Sequence, residues 1–117
     1  MDRKEKKEFR DLLLEMKKEK EEVLREYEEE LNESNNSENS SYPFHSADLG
    51  SDAAMLESLS RNMNDTLNEL RMIDEALAKI SDNSYGICEM CEKKIPKKRL
   101  KAVPYAKLCI ECKDKVS

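Results

Sequence analysis

The sequence of 117 residues contains no Trp, two Gly, three Pro and one His, and only 5% of its residues are aromatic. So few glycines and aromatics exclude an all-β domain, whose turns and half-buried strands draw on both. No apolar run exceeds the four residues Ala53 to Leu56, far short of the roughly 20 that a membrane-spanning helix needs. The opening Met1-Asp2-Arg3-Lys4-Glu5 is charged with no apolar stretch behind it, so no secretory signal is expected. The expected compartment is the cytoplasm. There is no nucleophile–base pair and no glycine-rich phosphate loop, and the lone His45 has no cluster of partners for acid–base or metal chemistry. An enzyme is not expected.

What the chain does have is charge: 40% of its residues, against 38% hydrophobic. That balance, rich in Glu, Lys and Leu, points to long solvated helices rather than a large core. In residues 3–31, Phe9, Leu13, Met16, Val23, Tyr27 and the Leu24/Leu31 pair recur at spacings that place them on one stripe. Lys20 interrupts the stripe and is expected to extend its charged end to water. Residues 32–47 turn to Ser and Asn, with Pro43, and read as a loop. From about Ser51 to Asp82, Leu56, Met63, Leu70 and Leu77 repeat every seven residues, with Leu59, Thr66, Ile73 and Ile80 three positions later. This is a coiled-coil seam with one polar member, Thr66. Two such helices joined by a loop most simply form an antiparallel hairpin, each arm roughly 45 Å long. An intermolecular coiled coil has the same periodicity. Asp48 and Asp52 flank the start of the second helix and suit its positive end.

After Ser81-Asp82-Asn83-Ser84-Tyr85-Gly86, a run of helix-stopping residues, the chain is organised by cysteine. Cys88, Cys91, Cys109 and Cys112 form two CxxC turns 17 residues apart, a complete tetrahedral shell for one structural Zn²⁺. A dithiol redox site would need a βαβ framework, and disulfides an oxidising compartment. A catalytic zinc would keep one position open, which four thiolates close. The segment has too few apolar residues to fold by burial, so the metal would supply much of its folding energy.

Charge is unevenly distributed. Residues 1–31 carry 9 basic and 12 acidic side chains, residues 32–84 carry 3 and 10, and residues 85–117 carry 9 and 4. Four thiolates and a divalent zinc would lower the last balance from +5 to +3. That is a weak footprint for DNA beside an acidic remainder, and aromatics able to stack bases are nearly absent, so a protein partner is favoured. Lys93, Lys94, Lys97, Lys98, Arg99 and Lys101 lie within the zinc loop, either as a solvated surface or as a patch for an acidic or phosphorylated partner.

Tyr85-Gly86-Ile87-Cys88-Glu89-Met90-Cys91, Ile95-Pro96-Lys97-Lys98-Arg99-Leu100-Lys101-Ala102-Val103-Pro104 and Leu108-Cys109-Ile110-Glu111-Cys112 resemble the zinc finger of the DksA/TraR family. The resemblance implies a regulator of bacterial transcription that binds RNA polymerase and not DNA. It further implies a coiled-coil hairpin inserted into the polymerase secondary channel, a narrow pore that admits two helices, and a link to ppGpp and the stringent response. Tips of the family carry D-x-x-D-x-A, whereas this chain has His45-Ser46-Ala47-Asp48-Leu49-Gly50, closer to short Gram-positive relatives. By this resemblance His45, Asp48, Gly50 and Asp52 are the partner-binding tip. Lys98, Arg99 and Lys113 are the candidates for docking or ppGpp contact, while Met72 and Val103 stand where basic residues are expected.

The expected fold is mostly α: a long antiparallel coiled-coil hairpin over residues 1–84, with a tip loop at about 32–50, and a four-cysteine zinc finger over 85–117. The expected function is polymerase regulation. The alternative is a zinc-braced adaptor whose hairpin binds another protein.

Overall fold

The structure, a computed structural model, describes the backbone of residues 1–37 and 46–116, with side chains described outside 34–52. Four helices form among the described residues: α1 (Arg3–Ser37), α2 (Ser46–Ser81), α3 (Lys97–Ala102) and α4 (Ile110–Val116). Asp2 starts α1, its carboxylate accepting the Glu5 N–H at 2.8 Å and its carbonyl the Lys6 N–H at 3.0 Å. The carboxylate thereby satisfies one otherwise orphaned amide of the first turn, and the carbonyl accepts the first intrahelical bond. α2 stops at a turn in which Lys79 O accepts both Ser84 N–H (2.9 Å) and Tyr85 N–H (3.2 Å). Asn83 sits there at φ 67°, the left-handed conformation that ends helices.

The helices encroach on the expected tip loop of 32–50 from both sides, α1 reaching Ser37 and α2 starting at Ser46. The physical reason is cooperativity. Once nucleated, a helix gains a hydrogen bond for each residue added, and an interior Ser or Asn costs only about 0.5–0.7 kcal/mol relative to Ala.

The chain divides into two compact units. The first comprises Glu19–Glu69, the facing stretches of α1 and α2. Val23, Leu24, Tyr27 and Leu31 are half-buried on α1, and Leu59 and Thr66 are buried on α2. Lys20 pairs with Glu69, and Tyr27 and Glu30 line one cleft with Ala54, Met55, Ser58 and Leu59. Rising numbers on α1 thus meet falling numbers on α2: the helices are antiparallel. Lys20 is more than a stem reaching for water, because its ammonium finds a carboxylate across the seam. Thr66, the polar seam member, is buried without strain on its hydroxyl, which donates to Asn62 O at 2.9 Å.

The second unit joins Met1–Lys18 to Leu70–Ser117. The expected boundary between residues 84 and 85 is therefore not where the packing divides. One core gathers Phe9 and Leu13 of α1, Ile73, Ala76 and Ile80 of α2, and Tyr85, Cys88, Ile95, Leu100 and Cys112. Leu13, Ile73, Leu100 and Cys88 are fully enclosed. The cysteine segment is too small to bury its own apolar residues, so it shares a core with the helix ends. Along α2 the row Leu59, Thr66, Ile73 and Ile80 is buried throughout, and the row Leu56, Met63, Leu70 and Leu77 is half-buried.

Candidate metal centre

The cysteine segment is folded by backbone hydrogen bonds that leave sulfur free to converge. Cys88 N–H donates to Lys93 O (2.8 Å), Ile95 N–H to Gly86 O (2.7 Å), and Ile87 bridges Lys94 in antiparallel sense. Between these partners the chain turns back through Cys91 and Glu92, and Glu92 adopts φ 62°, with its N–H donating to Cys88 O at 2.9 Å. Gly86 stands at φ +83°, where a side chain would be strained. The second turn opens α4, Lys113 N–H donating to Cys109 O at 2.9 Å. Glu89 N–H donates to Lys107 O (3.0 Å), tying the first turn to the strand of chain that delivers Cys109.

All four cysteines are free thiols, and their Sγ atoms lie within 4.8 Å of one another. A Zn–S bond of about 2.3 Å places tetrahedral sulfurs about 3.8 Å apart. The Cys91 and Cys109 sulfurs are separated by 3.8 Å. Cys88 and Cys112 are buried and Cys91 is exposed, so the cluster sits at the edge of the core. The backbone N–H of Cys91 lowers the Cys88 thiol to about 6, whereas its hydrogen bond with Cys109 pushes Cys112 up to about 12. One thiolate is thus favoured by the fold and a further one is resisted by its neighbours. A divalent cation removes that resistance. The donor set fits zinc in number, softness and spacing.

Residues around the cluster couple it to the helices. The Tyr85 hydroxyl donates to Pro104 O at 2.7 Å, and its ring lies 5.5 Å from that of Phe9 at 51°. Burial raises the Tyr85 phenol well above its ordinary range. Arg99 Nε donates to Leu108 O at 2.9 Å, and Lys97 pairs with Glu5 at 2.6 Å, which raises the Lys97 ammonium. Lys79 at the end of α2 pairs with Glu89, and that hydrogen bond lowers the Glu89 carboxyl. None of these partners has a signal in the sequence beyond residue type, and Tyr85 with Phe9 and Lys97 with Glu5 join opposite ends of the chain. Arg99, a candidate for docking, has one N–H committed to holding the approach to Cys109. Lys98 and Lys113 are exposed on α3 and α4. His45 lies outside the described residues, and of Asp48, Gly50 and Asp52 only the helical backbone of α2 is described.

The family model "Prokaryotic dksA/traR C4-type zinc finger" matches residues 83–117. An uncharacterized protein of Aquifex aeolicus is 37% identical over 99 residues, 84% of this chain and 68% of that one. The solved structure of transcription factor DksA2 from Pseudomonas aeruginosa is 31% identical, with a TM-score of 0.83 over 97% of this chain and 84% of that one. The chain belongs to the DksA/TraR family. Within the family, the RNA polymerase-binding transcription factor DksA of Escherichia coli strain K12 is 40% identical over 53 residues. That match covers 45% of this chain and about a third of the E. coli protein, 35%. The family's motif acquires physical content here. Tyr85 caps Pro104, Gly86 takes the left-handed turn, Arg99 holds Leu108 and Leu100 fills the core. Among the described residues no helix is long and apolar enough to cross a membrane.

Proposed function

We propose that this protein regulates bacterial transcription by binding RNA polymerase, with its antiparallel helices entering the secondary channel and without contacting DNA. The observation that carries the reading is the match to transcription factor DksA2 over 97% of the chain. The cysteine cluster has the complementary role: Cys88, Cys91, Cys109 and Cys112 hold one structural Zn²⁺. Four thiolates leave no open position for substrate, so the metal braces rather than reacts. It fastens the segment that packs against Phe9, Leu13, Ile73 and Ile80, and so holds the ends of α1 and α2.

Asp48 is the working carboxylate of the tip, with His45, Gly50 and Asp52 beside it, and Lys98, Arg99 and Lys113 contribute to docking or to ppGpp. A photoreactive group at position 48 of the zinc-loaded chain should crosslink to purified polymerase. Asp48→Asn should abolish the effect on transcription while leaving polymerase binding mostly intact. Unchanged transcriptional activity in that variant removes the carboxylate mechanism. If folded, zinc-loaded protein recovers no polymerase subunits but does recover another protein, the adaptor reading replaces this one.

A further inference from the structure

A cleft of about 700 Å³ lies where the start of α1, the turn after α2 and the chain beyond Cys91 meet, inside the second compact unit. Its volume is ordinary for a small-molecule site, about 300–1,000 Å³. One wall is built on Ile87 and Lys94. Cys88 N–H donates to Lys93 O and Ile95 N–H to Gly86 O, one bond on either side of the pair. Ile87 and Lys94 are therefore opposed without bonding to each other. In such a pair the side chains leave the same face, with Cβ atoms about 4.5–5.5 Å apart. Ile87 is 40% exposed and Lys94 is exposed, so an apolar surface and an ammonium stand side by side. Pro96 and Met1 extend the apolar surface.

The charged side chains of the lining are Lys6, Lys94 and Lys97 against Asp2 and Glu5, an excess of one positive charge. Glu5 and Lys97 pair with each other, Lys6 is held by the neutral side-chain oxygen of Asn83, and Asp2 caps α1. Lys94 has no ion-pair partner among the described residues. A cation would be opposed by that excess. A multiply charged anion would be opposed by Asp2 and by Glu5, whose Oε2 is already enclosed without a partner. One negative charge fits. A peptide strand does not, because the edge that Lys94 offers is too short: Pro96, two residues on, has no N–H. On the other edge Glu89 N–H is already taken by Lys107 O.

We propose that this cleft binds a small amphipathic monocarboxylate, its carboxylate on Lys94 and its apolar body on Ile87 and Pro96. Lys98, Arg99 and Lys113 do not line the cleft, and the inference stands independently of polymerase binding.

The test is an amide NMR titration of the full, zinc-loaded chain at neutral pH with octanoate, acetate, octylammonium and octyl phosphate. Octanoate should shift the Ile87 and Lys94 amides saturably. It should bind at least about tenfold more tightly than acetate, the factor expected from burying two methylenes. It should also bind at least about threefold more tightly than octylammonium or octyl phosphate. Lys94→Gln should lose about fivefold for octanoate, a charge-assisted hydrogen bond, and leave binding of neutral 1-octanol unchanged. Ile87→Thr, which keeps a branched residue in the bridge, should weaken octanoate and 1-octanol alike by about threefold. Lys4→Gln removes the same charge from outside the cleft and should bind as the parent does. Zinc content is measured for each variant. Should Ile87→Thr lose the metal, Lys94→Gln alone decides. No saturable shift in the parent, equal losses in Lys94→Gln and Lys4→Gln, or tighter binding of octylammonium or octyl phosphate overturns the proposal.

Discussion

Tyr85→Phe isolates a single hydrogen bond at the junction between the cysteine segment and the helices. The parent hydroxyl donates to Pro104 O at 2.7 Å, and both residues are buried. Phenylalanine keeps the ring, its burial and its contact with Phe9, whose centroid is 5.5 Å away. What remains is an enclosed carbonyl without a donor, worth about 1–3 kcal/mol. Removing the hydroxyl also relieves its own desolvation, so the expected loss is about 1–2 kcal/mol. That is well below the roughly 3–5 kcal/mol for truncating a buried aromatic to Ala. Urea unfolding followed by far-ultraviolet circular dichroism, with zinc in excess, should show a lower midpoint and an unchanged slope. A cycle with Phe9→Leu should give a coupling of about 0.5–1.5 kcal/mol to the Tyr85 ring, retained in the Phe variant. A loss under about 0.3 kcal/mol in Tyr85→Phe would show that Pro104 O is satisfied without the phenol, and the reasoning would fail.

The raised phenol also sets an alkaline limit. Below its ordinary value of 10.0, Tyr85 is protonated in both folded and unfolded chains; above it the unfolded chain ionises first, so stability should fall as pH rises beyond about 10. The fall should be absent in Tyr85→Phe. Gly86→Ala should destabilise by about 1–2 kcal/mol in the same urea assay, because φ +83° is the strained region for a side chain. The Met1 methyl 3.2 Å from the added carbon is flexible and adds little. Lys20→Glu, facing Glu69, should lower the melting temperature by the equivalent of about 1 kcal/mol at low salt, with recovery on adding Glu69→Lys. Chelation of zinc should expose four titratable thiols and lower helical signal reversibly, and loss of zinc on acidification should do the same as protons compete for the sulfurs.

Several features were legible because they depend on order along the chain. The period of seven in Leu59, Thr66, Ile73 and Ile80 is a property of residue spacing on a helix, and those positions are the buried row. The pair of CxxC turns likewise constrains where four sulfurs can point, and their convergence within 4.8 Å follows that spacing. The helix limits around residues 32–50 were less legible, since Ser and Asn weaken helix only slightly and cooperativity carries it past them.

Tertiary packing alone decided the rest. Nothing in the order of residues says that Cys88 and Cys112 share a core with Phe9 and Ile73, or that Lys20 meets Glu69. These pairings join positions tens of residues apart, and their free energy exists only once the chain has closed the loop between them. The same holds for Tyr85, which the sequence marked as the first residue of the zinc-finger motif without indicating what it touches. Its partner at Pro104 and its ring against Phe9 turn a zinc segment and two helix ends into one folded unit. The absences of the sequence acquire their cause there: a chain with few aromatics and glycines uses one tyrosine and one glycine where the metal segment meets the helices.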